Sequence, residues 1–578
     1  VSGSSVSTGS FGHITLSEGL EIGGVFKVSL SNNDSGDRNT IFGKLAGAAG
    51  LSGGENNVLV GHEAGKALTG GDENVIIGKS AGDILTTTLN TVLIGKDAGG
   101  AINSTDANGT VAIGHSAGKA ITSGTENVAV GFEAGLATNT GDRNTYIGDT
   151  AAKAGTDASY NTVVGYQALQ TNVDGNYNVA VGYKSMEDFE PANDAGYNTA
   201  VGATSMKNST TTSGSVAIGY GAMGEGTTTG DFNIAIGYLA GEDLTSGHNN
   251  VIIGKTAGGQ ITTARENVII GAGAYASANT SENFGVAIGF NAATLLDGID
   301  NVVAIGHSAL STMVAVDGNT AVGFEAGKVT TGANNTYVGF KSGKGASGAE
   351  TNNVGMGSNA LLDVTNGSYN VAIGSNSLLT VTSGEVNVAV GTSTLRTSTA
   401  SQNVALGGNA MYANTTGGNN VAVGHNSLDK LTIGTSNTAV GKDALTDEVL
   451  GNGSVAIGLG SLFKQAMDGD NEVSHNTAVG SYTAYFNVTG TNNTWLGYEA
   501  GYGVINQSNS GNVGIGTDAL TSITTGGDNV VIGADAGAAN TVGGQNVYIG
   551  RSAGLSSDQG DYNTALGHDA YKTASGNS

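Results

Sequence analysis

The sequence predicts an all-β chain, a parallel β-solenoid or β-roll of about 31 coils of about 17 residues each. Three observations predict it. A pentapeptide recurs along nearly the whole chain: Asn, a β-branched residue, a small or apolar residue, an aliphatic residue, Gly. NVAVG closing at Gly131, NTAVG at Gly202, NVAIG at Gly374 and NVYIG at Gly550 are examples. The closing glycine occurs 31 times between Gly43 and Gly567, and 20 of the 30 intervals run from i to i+17. Lastly, 98 of the 578 residues are glycine and one, Pro191, is proline, without the every-third-residue glycine of collagen.

The elements follow in chain order. Residues 1–38 lie outside the repeat, and the alternation of Ile14, Leu16, Leu20 and Ile22 predicts a small β leader or joint. Residues 39–578 form the repetitive shaft. Counting from the closing glycine as position 0, position −4 is Asn in 25 of 31 coils and −3 is always Val, Ile or Thr. Position −1 is always apolar. Two such residues flanking one position read as a short strand with both on one face. Position +3 is small, and a weaker apolar position stands at +7, as in Leu68, Leu85, Ile102 and Ile121. A second, weaker strand is expected there, followed by a Gly-rich turn written TTG, TSG or TGGD. Stacked in parallel and in register, the repeated asparagines would form an amide ladder.

Two long coils carry EDFEPAND at 187–194 and FKQAMDGDNEVS at 463–474, both expected as surface loops. The chain stops at TASGNS, where the pattern would place the next asparagine, so the repeat is expected to continue in a longer polypeptide or to be capped by something else.

Position −2 points away from −3 and −1. It is Ala in 17 coils and Ile, Leu, Val, Tyr, Trp or Gly in the others, never charged. With −3 and −1 taken as interior, an apolar −2 column implies that another chain covers it. On that reading, Asp at Ala129, Ala180 and Ala217 would dissociate the assembly.

Composition excludes several function classes. No cysteine means no disulfide framework, thiolate metal site or cysteine nucleophile. A net charge of −26 lacks the basic footprint of a nucleic-acid binder. No apolar run approaches a membrane span. GHSAG at 114–118, GKSAG at 78–82 and GRSAG at 550–554 match a nucleophile-elbow pattern, but sister coils hold Glu63, Asp97 or Glu133 in the serine slot. GYGAMG at 219–224 precedes no helix pattern, and the GKT at 254–256 has Asn249 where a phosphate loop needs glycine. Five histidines, His62, His115, His307, His425 and His568, share position +1 with Lys44, Lys79, Phe132, Tyr183 and Arg551, which reads as a solvated face rather than a metal ladder. GGDEN at 70–74 and GDRN at 141–144 read as turn formers rather than calcium loops. Aromatics at +1, such as Tyr166 and Phe290, are scattered surface rings whose alternative role is glycan stacking. No catalytic, cofactor-binding or metal-binding residue is assigned, and no cofactor is expected.

NVAVGYKSM (178–186), NVAIGSNSLLTVTSG (370–384), NVAVGHNSL (420–428) and the opening SGSSVSTGSFG (2–12) resemble repeats and leader segments of phage tail fibres of the marine type. The strand core also resembles the head repeats of trimeric autotransporter adhesins, which are trimers of left-handed parallel β-rolls. The resemblance covers nearly the whole repetitive shaft, although the coil here is longer than the usual adhesin-head coil. It implies a non-enzymatic homotrimer that serves as the shaft of a virion appendage and holds a receptor-binding element away from the particle. The implied partners are copies of the chain itself, other virion or fibre proteins at the ends, and a host glycan or protein; nucleic acid and membrane insertion are not expected. The alternatives are a bacterial surface adhesin or extracellular filament and, as a minor one, an ice-binding solenoid. The last needs an outward threonine array, and the ten threonines at −3 would face inward by the parity argument.

Overall fold

Each turn of the repeat closes on a glycine because two demands meet there. Gly131 has φ +142°, and a Cβ on it would lie 2.1 Å from the carbonyl oxygen of Gly148 in the next coil. Only glycine lets adjacent coils come together at this corner. The computed structural model describes residues 20–22, 26–28 and 38–572, apart from 104, 191–195, 278–282, 296–299, 313–316, 346–347, 349, 468 and 470–471. Within the leader, Leu20–Ile22 and Phe26–Val28 pair antiparallel, with Leu20 opposite Val28; Ile14 and Leu16 lie outside the described residues.

The chain divides into two compact units, 1–281 and 282–578. Each is a parallel β-solenoid, and its strands recur mostly at the spacing of Val58, Val75 and Val92. The first unit carries fourteen three-residue strands, from Thr40–Phe42 to Val268–Ile270, and the second seventeen equivalent ones, from Val286–Ile288 to Thr564–Leu566. All of these 31 strands occupy positions −3 to −1. Pairing is parallel and in register, as in Val58↔Val75 and Val421↔Thr438. Backbone bonds run from coil to coil, for instance Val58 N to Asn74 O and Gly61 N to Phe42 O, both 2.8 Å.

The expected asparagine ladder is present. Asn250 is buried, donates through N and Nδ2 to Asn233 Oδ1 at 3.1 and 3.0 Å, and donates through Nδ2 to Ala264 O at 2.8 Å. Asn267 N then donates to Asn250 Oδ1. Thr91 substitutes as a donor, bonding Asn74 Oδ1 through its hydroxyl at 2.7 Å. In the second unit the first two coils have Gly285 and Val302 at −4, so asparagine first enters the column there at Asn319.

The parity assignment is reversed in the structure. Position −2 points into the coil's own core: Ala129, Ala180, Ala217, Ile76 and Trp495 are at most 1% exposed. Positions −3 and −1 point outward, and nearly every strand shows a half-buried, buried, half-buried or more exposed pattern. The cause is a lumen too narrow for two β-branched side chains per strand. Across it, −2 meets +4, and their sizes complement each other. Tyr337 faces Gly343 and Trp495 faces Gly501, each at about 2.5 Å from the Cβ that a larger residue would add. Where −2 is Ala, as at Ala200 and Ala422, +4 is usually large, here Met206 and Leu428.

Position +7 completes the core, with Leu68, Leu85, Ile102 and Ile121 buried as expected. The weaker second strand is a correction. Among the described residues that side pairs as strands only at Asp363–Val364 with Thr380–Val381, extended by the bridge Thr380↔Thr397, and a further isolated bridge joins Asn487 to Gln507. Elsewhere it is a chain of turns, because the corner positions +2 and many at +4 sit at positive φ, as Glu133 does at +51° and Met206 at +49°.

The long coils also differ from expectation. Phe189 of the first insert fills the +7 core position and Glu187 pairs with Lys184 at 2.8 Å; residues 191–194 lie outside the described set. In the second, Gln465 takes the same position, fully buried, and donates to Glu448 Oε2 and Ser454 Oγ while accepting from Asn476 Nδ2. Each insert therefore supplies the +7 core residue of its coil, and the second also buries Met467 and Ser474.

Candidate functional site

The surface that the strands present is the largest feature the repeat builds. Positions −3 and −1 hold only Val, Ile, Thr, Leu, Met or Phe, and no charged residue, in all 31 strands. Ile218, Ile373 and Ile457 are each 38% exposed and Met356 is 42% exposed, which places this column outside the core. Within each unit the result is an apolar sheet face renewed at every coil. Position +1 borders it. There Phe290, His307, Phe324 and Phe340 stack across four successive coils of the second unit, with ring centroids 5.1 to 5.4 Å apart. In the first unit Tyr166 stacks on Tyr183 and Tyr220 on Tyr238. Stacked rings cover one another's faces, so these ladders offer mainly edges to a ligand.

The corner beyond the closing glycine is polar. A carboxylate at +2 meets a lysine at +5, as in Glu63–Lys66 at 3.1 Å and Glu325–Lys328 at 2.7 Å. Two lysines, Lys328 and Lys344, hold the Glu325 carboxyl down at about 2. The opposite case is Glu350. It occupies the −7 column, where most coils have Gly or Ala, and it is fully buried. Burial pushes its carboxyl up to about 7. The phenol of Tyr337 is buried in the same core and is raised by that burial and by the Glu350 charge.

The acidic turn segments have a structural role. Asp72 Oδ1 accepts from Glu55 N at 2.7 Å, and Asp142 Oδ1 accepts from Thr125 N at 2.8 Å. Ser159, Asn176, Asp231 and Asp300 do the same at this −6 position, forming a second, outer side-chain ladder. The sequence named these residues as turn formers but gave no sign that each one reaches back to the previous coil.

The serine motifs fall on the same corner. Ser80, Ser116 and Ser552 sit at φ +55 to +58°, in turns that no helix follows. Among the described residues the one helical segment is the short 3₁₀ turn Thr105–Ala107. The +1 histidines are outward: His115 stacks on Phe132 and His307 lies between Phe290 and Phe324. Among the described residues no group of three His, Asp or Glu side chains is placed to hold a metal ion. No helix there is long and apolar enough to cross a membrane.

No protein-family model matches the chain, and no curated protein matches it.

Proposed function

We propose that this chain is the shaft of a phage tail fibre or similar virion appendage, where it positions a receptor-binding element for host attachment. The proposed assembly is a homotrimer, joined at its ends to other virion or fibre proteins. The supporting observation is the outward Val/Ile/Thr face, which no residue of the same coil covers. A partner that matches it coil by coil needs the same spacing, about 4.8 Å per strand, and a second copy of the chain has that spacing. The interface thus moves from −2 to −3 and −1. The resemblance to tail-fibre repeats supports the setting, and the net charge of −26 supports a shaft that resists bundling and sticking to anionic surfaces. The mechanism is mechanical: reach, without turnover, and avidity from several copies of the tip.

Val128→Asp with Val130→Asp tests the interface. It is expected to lower the mass in sedimentation while leaving the circular dichroism of the coil unchanged; an unchanged mass overturns the assignment. Immuno-gold microscopy tests the setting. Label on thin appendages of virus particles is the expected result, and label on cell envelopes would favour a bacterial adhesin instead.

A second reading regains its geometric basis. The ten −3 threonines face outward, as an ice-binding surface requires. They are interspersed with Val and Ile, so the expected thermal hysteresis is nil; a measurable value would favour that reading.

A further inference from the structure

Rings at position −5 meet two different surroundings. Tyr160, Tyr177 and Tyr197 occupy that column in three successive coils of the first unit and stack at 4.7 and 5.0 Å, so each covers its neighbour. Phe232 occupies the same column two coils further on and has no ring beside it among the described residues. The coil before it has Gly214 at −5 and the coil after it has Asn249. A Cβ on Gly214 would lie 2.7 Å from Phe232 Cδ1, so the ring leans over the side chain that Gly214 lacks. Its other side borders an open hollow of about 350 Å³, walled by Thr229, Gly230 and Asp231 of its own coil and by Ser246, His248 and Asn249 of the next. That volume lies within the usual range of small-ligand sites, roughly 300–1,000 Å³. Phe232 is 61% exposed.

The rim of the hollow carries unused hydrogen-bonding groups. In the outer −6 ladder a backbone N–H is met by the side chain one coil on, as Ser213 N donates to Asp231 Oδ1 at 2.8 Å. At the next step the column holds His248, and Asp231 N has no acceptor among the described residues. Asp231 Oδ2 and the Ser246 hydroxyl have no partner there either. Asn249 Nδ2 donates to His248 Nδ1 at 3.1 Å, which leaves the proton of the neutral imidazole on Nε2. The rim therefore offers a carboxylate oxygen and a hydroxyl as acceptors, and a backbone N–H, an imidazole N–H and the same hydroxyl as donors.

We infer that this hollow binds one sugar ring of a neutral glycan, with the C–H face of the sugar on Phe232 and its hydroxyl edge on Asp231, Ser246 and His248. A pyranose has one apolar face and a rim of hydroxyls that both donate and accept, which is the inverse of this site. The negative face of the phenyl ring attracts the polarised C–H bonds of the sugar. Asp231 presents a carboxylate that accepts from one hydroxyl and an N–H that donates to its neighbour. A single ring on one side is too little apolar wall to enclose an aliphatic or aromatic ligand. Asp231 and the net charge of −26 disfavour an acidic sugar. The inference does not rest on the shaft reading, because two adjacent coils build the whole site.

Saturation-transfer NMR on the full chain is the test, since it detects weak binding to a large protein and reports which ligand protons touch it. The probes are methyl β-galactoside, methyl β-glucoside and methyl α-mannoside, with N-acetylneuraminic acid as the acidic comparison. Saturable transfer to at least one neutral glycoside, strongest at its ring C–H protons, is expected, with none to the acidic sugar. Phe232→Ala is expected to abolish it and Phe232→Trp to keep it, both with the circular dichroism of the parent. Asp231→Asn, whose amide oxygen still accepts from Ser213 N, is expected to weaken it about tenfold. Phe324→Ala removes a ring stacked on both sides and leaves the transfer unchanged. No transfer to any of the three glycosides, equal transfer to the acidic sugar, or wild-type transfer by Phe232→Ala overturns the proposal.

Discussion

Glu325 and Glu350 lie in the same unit of the molecule and behave in opposite ways. Glu325 stands on the outer corner between two lysines, and its carboxyl is held at about 2. Glu350 stands on the inner wall, in a column made for Gly or Ala, and its carboxyl is pushed to about 7. The residue type is the same; the position in the coil decides its chemistry. In a solenoid this lesson is general, because each column meets the same environment at every coil. The corner tolerates charge and uses it, while the inner wall excludes it.

The largest expected effect comes from moving a carboxylate between these regions. Ala129→Asp puts an acid into the wall that the sequence alone assigns to an interface. The expected loss is about 4 kcal/mol by chemical denaturation, from burying an unpaired charge. The coil should lose structure; a folded but dissociated protein would restore the original parity.

Next in size is Asn250→Ala. It removes an amide that bonds both Asn233 and Ala264 and accepts from Asn267. The buried partners left unsatisfied make the expected cost about 2–3 kcal/mol in the same experiment.

Glu350→Gln tests the inner wall directly. A raised pKa means that the native state carries no penalty below pH 4.5, that the penalty grows as pH rises from there to about 7, and that it is complete above 7. The substitution is expected to stabilise the protein by about 2 kcal/mol at pH 8 and hardly at all at pH 4, read from melting curves. A gain of equal size at both pH values would show that size, not charge, is the problem there.

Glu325→Gln is the smallest. Its lowered pKa contributes stability that is complete above pH 4.5 and is lost as pH falls toward 2. The pair is solvent-facing, so the expected loss at pH 7 is under about 1 kcal/mol, and salt should shrink it further.

Much of this was legible in advance, and one error is instructive. Coil length, the closing glycine, the −4 ladder and the buried +7 column all follow from positions that repeat. The direction of the strand did not follow, because Val and Ile at −3 and −1 look more like core than Ala at −2. A signal was nevertheless present. Tyr337 with Gly343, Trp495 with Gly501, and Ala422 with Leu428 show that −2 and +4 trade size, as two positions sharing one lumen must.

The sequence by itself determined that the chain coils in parallel, where each coil closes, and that −2 opposes −3 and −1, because strand side chains alternate with a period of two. Only the tertiary structure decided which of those sides is inside. A period of two names the faces without saying which is covered. That choice belongs to the width of the lumen, fixed by the small +3 column and the complementary +4 column that close the coil from its other wall.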